Sequence, residues 1–172
     1  MRRSISRNSL EENTLEQIKN EIETSLLAIM LRESKEGEEK QWLIEHCTNE
    51  GLVKVIQQMT VLMLHILDVI GECEPINGIS ISKKFGTPKG TVSKITCKLV
   101  QLELIYANYL ENNKKEILYC TTSLGKELFQ LHRELHKQID DNFNNFLKKY
   151  DKNELETVTN FLKNIAQTSF MK

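Results

Sequence analysis

Two short amphipathic runs divided by Gly86-Thr87-Pro88 constrain this chain more than any other feature. Asn77 has a side chain suited to capping a helix, and Ile76 and Ile81 have the spacing of a hydrophobic staple across that cap. A helix is therefore predicted from Gly78 to about Phe85. Gly86 supplies the turn, Thr87 is expected to cap the next helix, and Pro88 to take its first position, where a missing N–H costs nothing. The second helix is expected to turn Val92, Ile95, Leu99 and Val100 inward and to end near Glu103. Two helices joined by one glycine turn make a helix-turn-helix.

The flanking segments build on that motif. Ile105–Leu110 and Ile117–Thr122 are β-prone runs separated by a polar, Asn-rich linker, which predicts a hairpin with a basic tip. Leu124, Leu128, Leu131, Leu135, Ile139, Phe143, Phe146 and Tyr150 then recur at helical steps as one long stripe. Asp151 with Glu154 forms a capping box ahead of a last helix that carries Leu155, Val158, Leu162 and Ile165 on one face. Towards the N-terminus, Leu15, Ile18, Ile22, Leu26 and Ile29 mark an amphipathic helix that should end or loosen in the charged stretch Arg32 to Lys40. Gly51 to Ile70 is apolar on more than one face, which predicts one central helix stopped by Gly71. The expected fold is mainly α with a small β-hairpin wing. Its parts are a basic flexible tail (residues 1–10), an N-terminal dimerisation helix and loop (11–50), a winged helix-turn-helix lobe (51–122) and C-terminal dimerisation helices (123–172).

Charge points to the partner. From Pro75 to Gln101 there are five lysines (Lys83, Lys84, Lys89, Lys94, Lys98) and no acid, although the whole chain carries a net charge of −1. A basic island in an otherwise acidic protein is a footprint for a polyanion. The second helix of such a motif places its N-terminal residues at base edges in the major groove. Here the candidates are Thr87, Lys89, Gly90, Thr91, Ser93 and Lys94, with Lys98 one turn further on. Lysine can meet phosphate or guanine, hydroxyls can meet either, and Gly90 permits close approach. At the hairpin tip, Asn113, Lys114 and Lys115 are candidates for contact with the flanking minor groove or its phosphates; a plain solvated turn is the other reading of the same residues.

The runs Leu64-His65-Ile66-Leu67-Asp68-Val69-Ile70-Gly71 and Ile81-Ser82-Lys83-Lys84-Phe85-Gly86-Thr87-Pro88-Lys89-Gly90-Thr91-Val92-Ser93-Lys94 resemble the MarR family of regulators, as does Thr122-Ser123-Leu124-Gly125-Lys126-Glu127-Leu128 after the hairpin. The resemblance spans roughly residues 50–170 and is sharpest over 76–128. It implies a winged-helix homodimer with its interface in the terminal helices. It also implies a pseudopalindromic operator in double-stranded DNA, and repression relieved by an organic or lipid-like ligand, a metal or an oxidant. Asn113, Lys114 and Lys115 stand where the family usually has an Asp and one or two Arg, and lysine lacks the planar fork that suits arginine to the minor groove.

Sensor candidates follow from side-chain chemistry. His132 and His136 are four apart on one helix face and could share a metal, with His46, Cys47 and Glu50 as further ligands. Two ligands do not make a site, so the expectation is no metal, with both histidines exposed or facing a dimer partner. Cys47 could instead be a redox switch if its thiolate were favoured. The apolar faces of 15–30 and 52–67, with Trp42, could border a crevice for an organic effector or simply form core. Cys47, Cys73, Cys97 and Cys120 show no CxxC pairing and read as reduced thiols. No apolar run approaches a membrane span, and Met1-Arg2-Arg3-Ser4 lacks the character of a signal peptide, so a cytoplasmic location is expected. No nucleophile elbow, phosphate loop or HExxH occurs, so neither an enzyme nor a cofactor is expected. A winged helix used only for protein contact is the rival reading, and the acid-free lysine island argues against it.

Overall fold

The computed structural model describes residues 7–33, 37–110 and 113–169. Its elements in chain order are α1 (Arg7–Glu33), α2 (Gly37–His46), α3 (Glu50–Gln57), α4 (Val61–Cys73), β1 (Ile76–Asn77), α5 (Gly78–Phe85), α6 (Lys89–Gln101), β2 (Ile105–Leu110), β3 (Asn113–Thr121), α7 (Ser123–Leu147) and α8 (Lys152–Gln167). Residues 1–6 of the expected tail lie outside the described residues, whereas 7–10 belong to α1 rather than to a loose tail.

Apolar residues from α2 to α7 meet in one core. Leu52, Ile56, Leu64, Ile66, Leu67, Ile70, Ile81, Leu99, Leu104 and Leu128 are among its fully enclosed members. The helix expected over 51–70 is two helices, with the chain bent by 120° between α3 and α4. The break falls at Gln58 to Thr60, where Thr60 accepts the Met63 N–H and caps α4. Breaking the run lets both apolar faces reach one core, which a straight helix of that length could not do. Gly71 does not stop α4, which continues to Cys73; a Cβ at Gly71 would meet the Phe129 ring of α7 at 2.8 Å, so the glycine serves close helix packing.

The motif is punctuated as expected at Asn77, whose Oδ1 accepts the Ser80 N–H at 2.8 Å, and at Gly86, whose φ of +70° closes α5 in a left-handed turn. The entry to α6 differs by one residue. Pro88 is the N-cap, its carbonyl accepting from Thr91 and Val92, while the Thr87 carbonyl accepts from the Ser82 hydroxyl. Val100, expected inward, is 39% exposed, and Thr96 takes the buried position instead. The cause is helical pitch: Val92, Thr96 and Leu99 share one face, and Val100 falls 100° past Leu99.

The hairpin β2–β3 forms with Ile105 opposite Thr121 and a register shift between Tyr109 and Leu110. Strand β1 was not expected; it pairs antiparallel with β3 (Ile76 opposite Tyr119) and makes a three-stranded sheet of order β1-β3-β2. Glu74, at the end of α4, fastens that sheet. Its Oε2 accepts the Thr121 hydroxyl at 2.7 Å and the Thr121 N–H, and Lys126 of α7 lies 3.6 Å from Oε1. Burial alone would raise the Glu74 carboxyl, but the two Thr121 hydrogen bonds and Lys126 outweigh it and hold the group below its ordinary value.

Beyond this lobe the apolar stripes stay largely uncovered by the described residues. Ile139, Phe143, Phe146 and Tyr150 on the distal half of α7 are exposed, as are Leu15, Ile18, Leu27, Ile29 and Met30 of α1. Helix α8 has its capping box (Asp151 with Glu154) but buries no residue. Among the described residues no single helix is long and apolar enough to cross a membrane.

Candidate nucleic-acid interface and metal centre

The buried face of α6 sets what the opposite face can touch. With Val92, Thr96 and Leu99 in the core, the outward line runs through Gly90, Lys94, Cys97 and Gln101 at steps of four, three and four residues. Lys89, Ser93 and Lys98 flank it and are exposed, whereas Thr91 is half-buried and Thr87 sits in the preceding turn. Cys97 and Gln101 were not among the sequence candidates; their helical spacing from Gly90 was the available signal. Among the described residues, Lys83, Lys84, Lys89, Lys94 and Lys98 enter no ion pair, so no described acid neutralises their charge. The backbone of Asn113, Lys114 and Lys115 falls in β3, at the far end of the hairpin; their side chains lie outside the described residues. The wing is braced to the motif where Asn77 Nδ2 donates to Glu116 Oε1 at 2.5 Å, so the residue that caps α5 also holds β3.

A second constellation lies between α4 and α7. His65 and Asp68, three apart on α4, face His132 and His136, four apart on α7, and one ligand atom from each falls within 4.8 Å of the others. Both spacings place a pair on one helix face. Glu39 of α2 approaches from the other side, with Oε2 3.9 Å from His65 Nε2 and 3.8 Å from His132 Nε2. His132 is 1% exposed, so it is neither exposed nor free to face a partner, contrary to the sequence expectation. His65 packs near both other histidines and near Phe85 of α5. Burial lowers the His65 pKa below its ordinary value; the Glu39 and Asp68 carboxylates oppose this and the neighbouring imidazoles reinforce it, so the net effect favours the neutral ring. Neutral imidazole is the form that binds a metal.

Four buried atoms here lack hydrogen-bond partners: Glu39 Oε2, Asp68 Oδ1 and both ring nitrogens of His132. Asp68 Oδ2 is 2.7 Å from His132 Nδ1 but without the alignment a hydrogen bond requires, and 4.0 Å from His136 Nε2. Buried polar atoms left unpaired cost about 1–3 kcal/mol each, so several close together form a set that a shared cation could satisfy. Three imidazoles and a carboxylate match the donor set and number of a zinc-like ion. Cys47, His46 and Glu50 are not part of the cluster: the Cys47 thiol lies against the Asn49 carbonyl and His46 stacks on Trp42 at 3.9 Å. Sequence reasoning missed His65, Asp68 and Glu39 because two of them interrupt an otherwise apolar helix that reads as plain core.

A helix-turn-helix with an unneutralised lysine face, braced to an antiparallel wing, defines a winged-helix DNA-binding protein. No family model matches the chain. The HTH-type transcriptional regulator PchR of Bacillus subtilis is 33% identical over 138 residues, 80% of this chain and 80% of that one. The HTH-type transcriptional regulator YhjH of the same organism is 37% identical over 98 residues, 57% of this chain and 56% of that one. The chain belongs to the HTH-type transcriptional regulators, and its fold is that of the MarR family. Among solved structures, ZitR of Lactococcus lactis, a zinc-responsive MarR family member, superposes with a TM-score of 0.68 at 21% identity, covering 87% of this chain and 97% of that one. The same protein in complex with DNA also gives a TM-score of 0.68.

Proposed function

We propose that the chain is a homodimeric, operator-binding repressor acting in the cytoplasm, and that a divalent transition-metal ion held among His65, His132 and His136 with one of the two carboxylates beside them, Asp68 or Glu39, sets its affinity for DNA. In this reading α6 enters the major groove and the β2–β3 wing tracks the neighbouring backbone. A second copy covers the exposed apolar faces of α1, distal α7 and α8. Two recognition helices about 34–36 Å apart then meet successive turns of a pseudopalindrome.

The observation that carries the effector assignment is His132, buried with both ring nitrogens unpaired and a carboxylate on either flank. The ion would supply a rigid link between α4, which belongs to the DNA-binding lobe, and α7, whose distal half carries the exposed stripe. Such a link bears on the separation of the recognition helices. A differential affinity of about 1.4 kcal/mol between two separations already changes operator binding tenfold.

Fluorescence anisotropy with duplex DNA from upstream of the chain's own gene, against scrambled DNA, tests both halves. Specific binding with discrimination of ~10³ or more and a steep salt dependence is expected, shifted at least tenfold between zinc and chelator. An operator affinity indifferent to zinc, manganese, iron and nickel refutes the metal assignment alone. Absence of binding to either DNA at low salt refutes the DNA reading and leaves a protein-contact module.

A further inference from the structure

The His132 ring stands between two carboxylates, and a single ion can take only one of its nitrogens. Resting on the metal reading above, we infer that Asp68 is a positioning residue: it accepts the His132 Nδ1–H and so presents Nε2 to the ion, on the flank where Glu39 supplies the carboxylate ligand. This departs from the simplest ligand set, in which Asp68 itself binds the metal.

Distances separate the two carboxylates. Asp68 Oδ2 lies 2.7 Å from His132 Nδ1, a hydrogen-bond length. Two atoms bound to one tetrahedral zinc at 2.0–2.1 Å are about 3.3–3.4 Å apart, so 2.7 Å is too close for a pair of co-ligands. Glu39 Oε2 lies 3.8 Å from His132 Nε2 and 3.9 Å from His65 Nε2, about half an ångström wider than co-ligand spacing and too long for hydrogen bonds. The same oxygen is nearly equidistant from the two nitrogens, as a ligand completing their set would be. Only the ring angle is wrong for the Asp68 hydrogen bond. The χ2 torsion of a histidine is broad, so a small turn of the ring is the adjustment that the assignment requires. The assignment also gives three of the four orphaned atoms a partner: Nδ1–H meets Asp68 Oδ2, while Nε2 and Glu39 Oε2 meet the ion. A carboxylate behind a ligating imidazole fixes its tautomer and raises its basicity, and its loss usually costs ~10–100-fold in metal affinity.

The test uses cobalt(II) as the probe ion on the full chain, since its visible absorption reports ligand number and type. D68A is expected to lower cobalt affinity ~10–100-fold while the band positions and intensity at saturation match those of the unaltered chain. D68N, which keeps a hydrogen-bond acceptor without its charge, should recover part of that affinity. E39A should alter the bands themselves. A changed spectrum in D68A would identify Asp68 as a ligand and overturn the inference, as would unchanged affinity in D68A. Thermal melting of each metal-free variant shows whether it folds; if D68A does not, D68N carries the same test, with weakened affinity and an unchanged spectrum expected. An unaltered chain that binds neither cobalt nor zinc refutes the metal reading itself, which is a different result from either outcome in the variants.

Discussion

Replacing Lys94 with alanine gives the most direct quantitative test of the recognition face. Lys94 lies on the outward line of α6, opposite Val92, Thr96 and Leu99, and among the described residues no acid pairs with it. A dimer presents two copies, so the variant removes two cations from the interface with DNA. Each phosphate neutralised contributes about 0.9 to the slope of log affinity against log salt, so the slope should flatten by about 1.8. Between 50 and 200 mM salt, a fourfold change, the affinity deficit of the variant should therefore shrink by roughly tenfold. Anisotropy titrations at several salt concentrations measure this, with light scattering to confirm that the dimer persists. If discrimination against scrambled DNA falls as well, Lys94 reaches a base edge in addition to phosphate. A slope unchanged within error refutes the placement of α6 in the groove; a monomer would show instead that α6 forms part of the dimer interface.

Other consequences concern the core and the metal centre. Glu74→Ala leaves the buried Thr121 N–H and hydroxyl without an acceptor and should cost about 2–4 kcal/mol in denaturant titrations. Because the Glu74 carboxyl is held below its ordinary value, its contribution is present above the ordinary carboxylate range and is lost as pH falls through the lowered value. The stability gap between the unaltered chain and Glu74→Ala should therefore be full at pH 7 and narrow in acid. Gly125→Ala drives a Cβ into the Leu104 carbonyl and should destabilise by about 1–3 kcal/mol or more, whereas Gly86→Ala meets open space and costs only the left-handed backbone, about 1 kcal/mol; thermal melts rank the two. His132→Leu removes two orphaned buried atoms, so the metal-free chain should melt no lower than before. In the unaltered chain, zinc at a hundredfold excess over its Kd should raise stability by about 2.7 kcal/mol, roughly 5–11 °C in Tm, and His132→Leu should lose that gain.

Much of the DNA-binding lobe was legible because its signals are local. An Asn cap, a glycine at positive φ and alternating β-prone runs each depend on a few adjacent residues. The misreadings share a cause. Val100 against Thr96 turns on where the core lies around α6, since a threonine whose hydroxyl bonds its own helix is admitted to the interior. Pro88 fits both the cap and the first helical position, and the Ser82 hydroxyl on the Thr87 carbonyl belongs to the chosen arrangement. Strand β1 is two residues long and exists only because β3 lies beside it.

The metal centre shows the same division more sharply. The His132–His136 pair is visible on one helix, since 3.6 residues per turn brings positions four apart together. Glu39, His65 and Asp68 come from two other helices, 64 to 97 residues away along the chain from the histidine pair's members, and no local rule connects them. By itself, the sequence determined the helix-turn-helix, the hairpin, the acid-free lysine face and hence the polyanion partner, because periodicity, capping and charge act over a few residues. Only the tertiary structure decided which face of α6 points outward, that the central apolar run breaks by 120°, and that three imidazoles and two carboxylates converge around one buried ring. These depend on packing α4 against α7, a contact between distant segments whose geometry is set by the whole core.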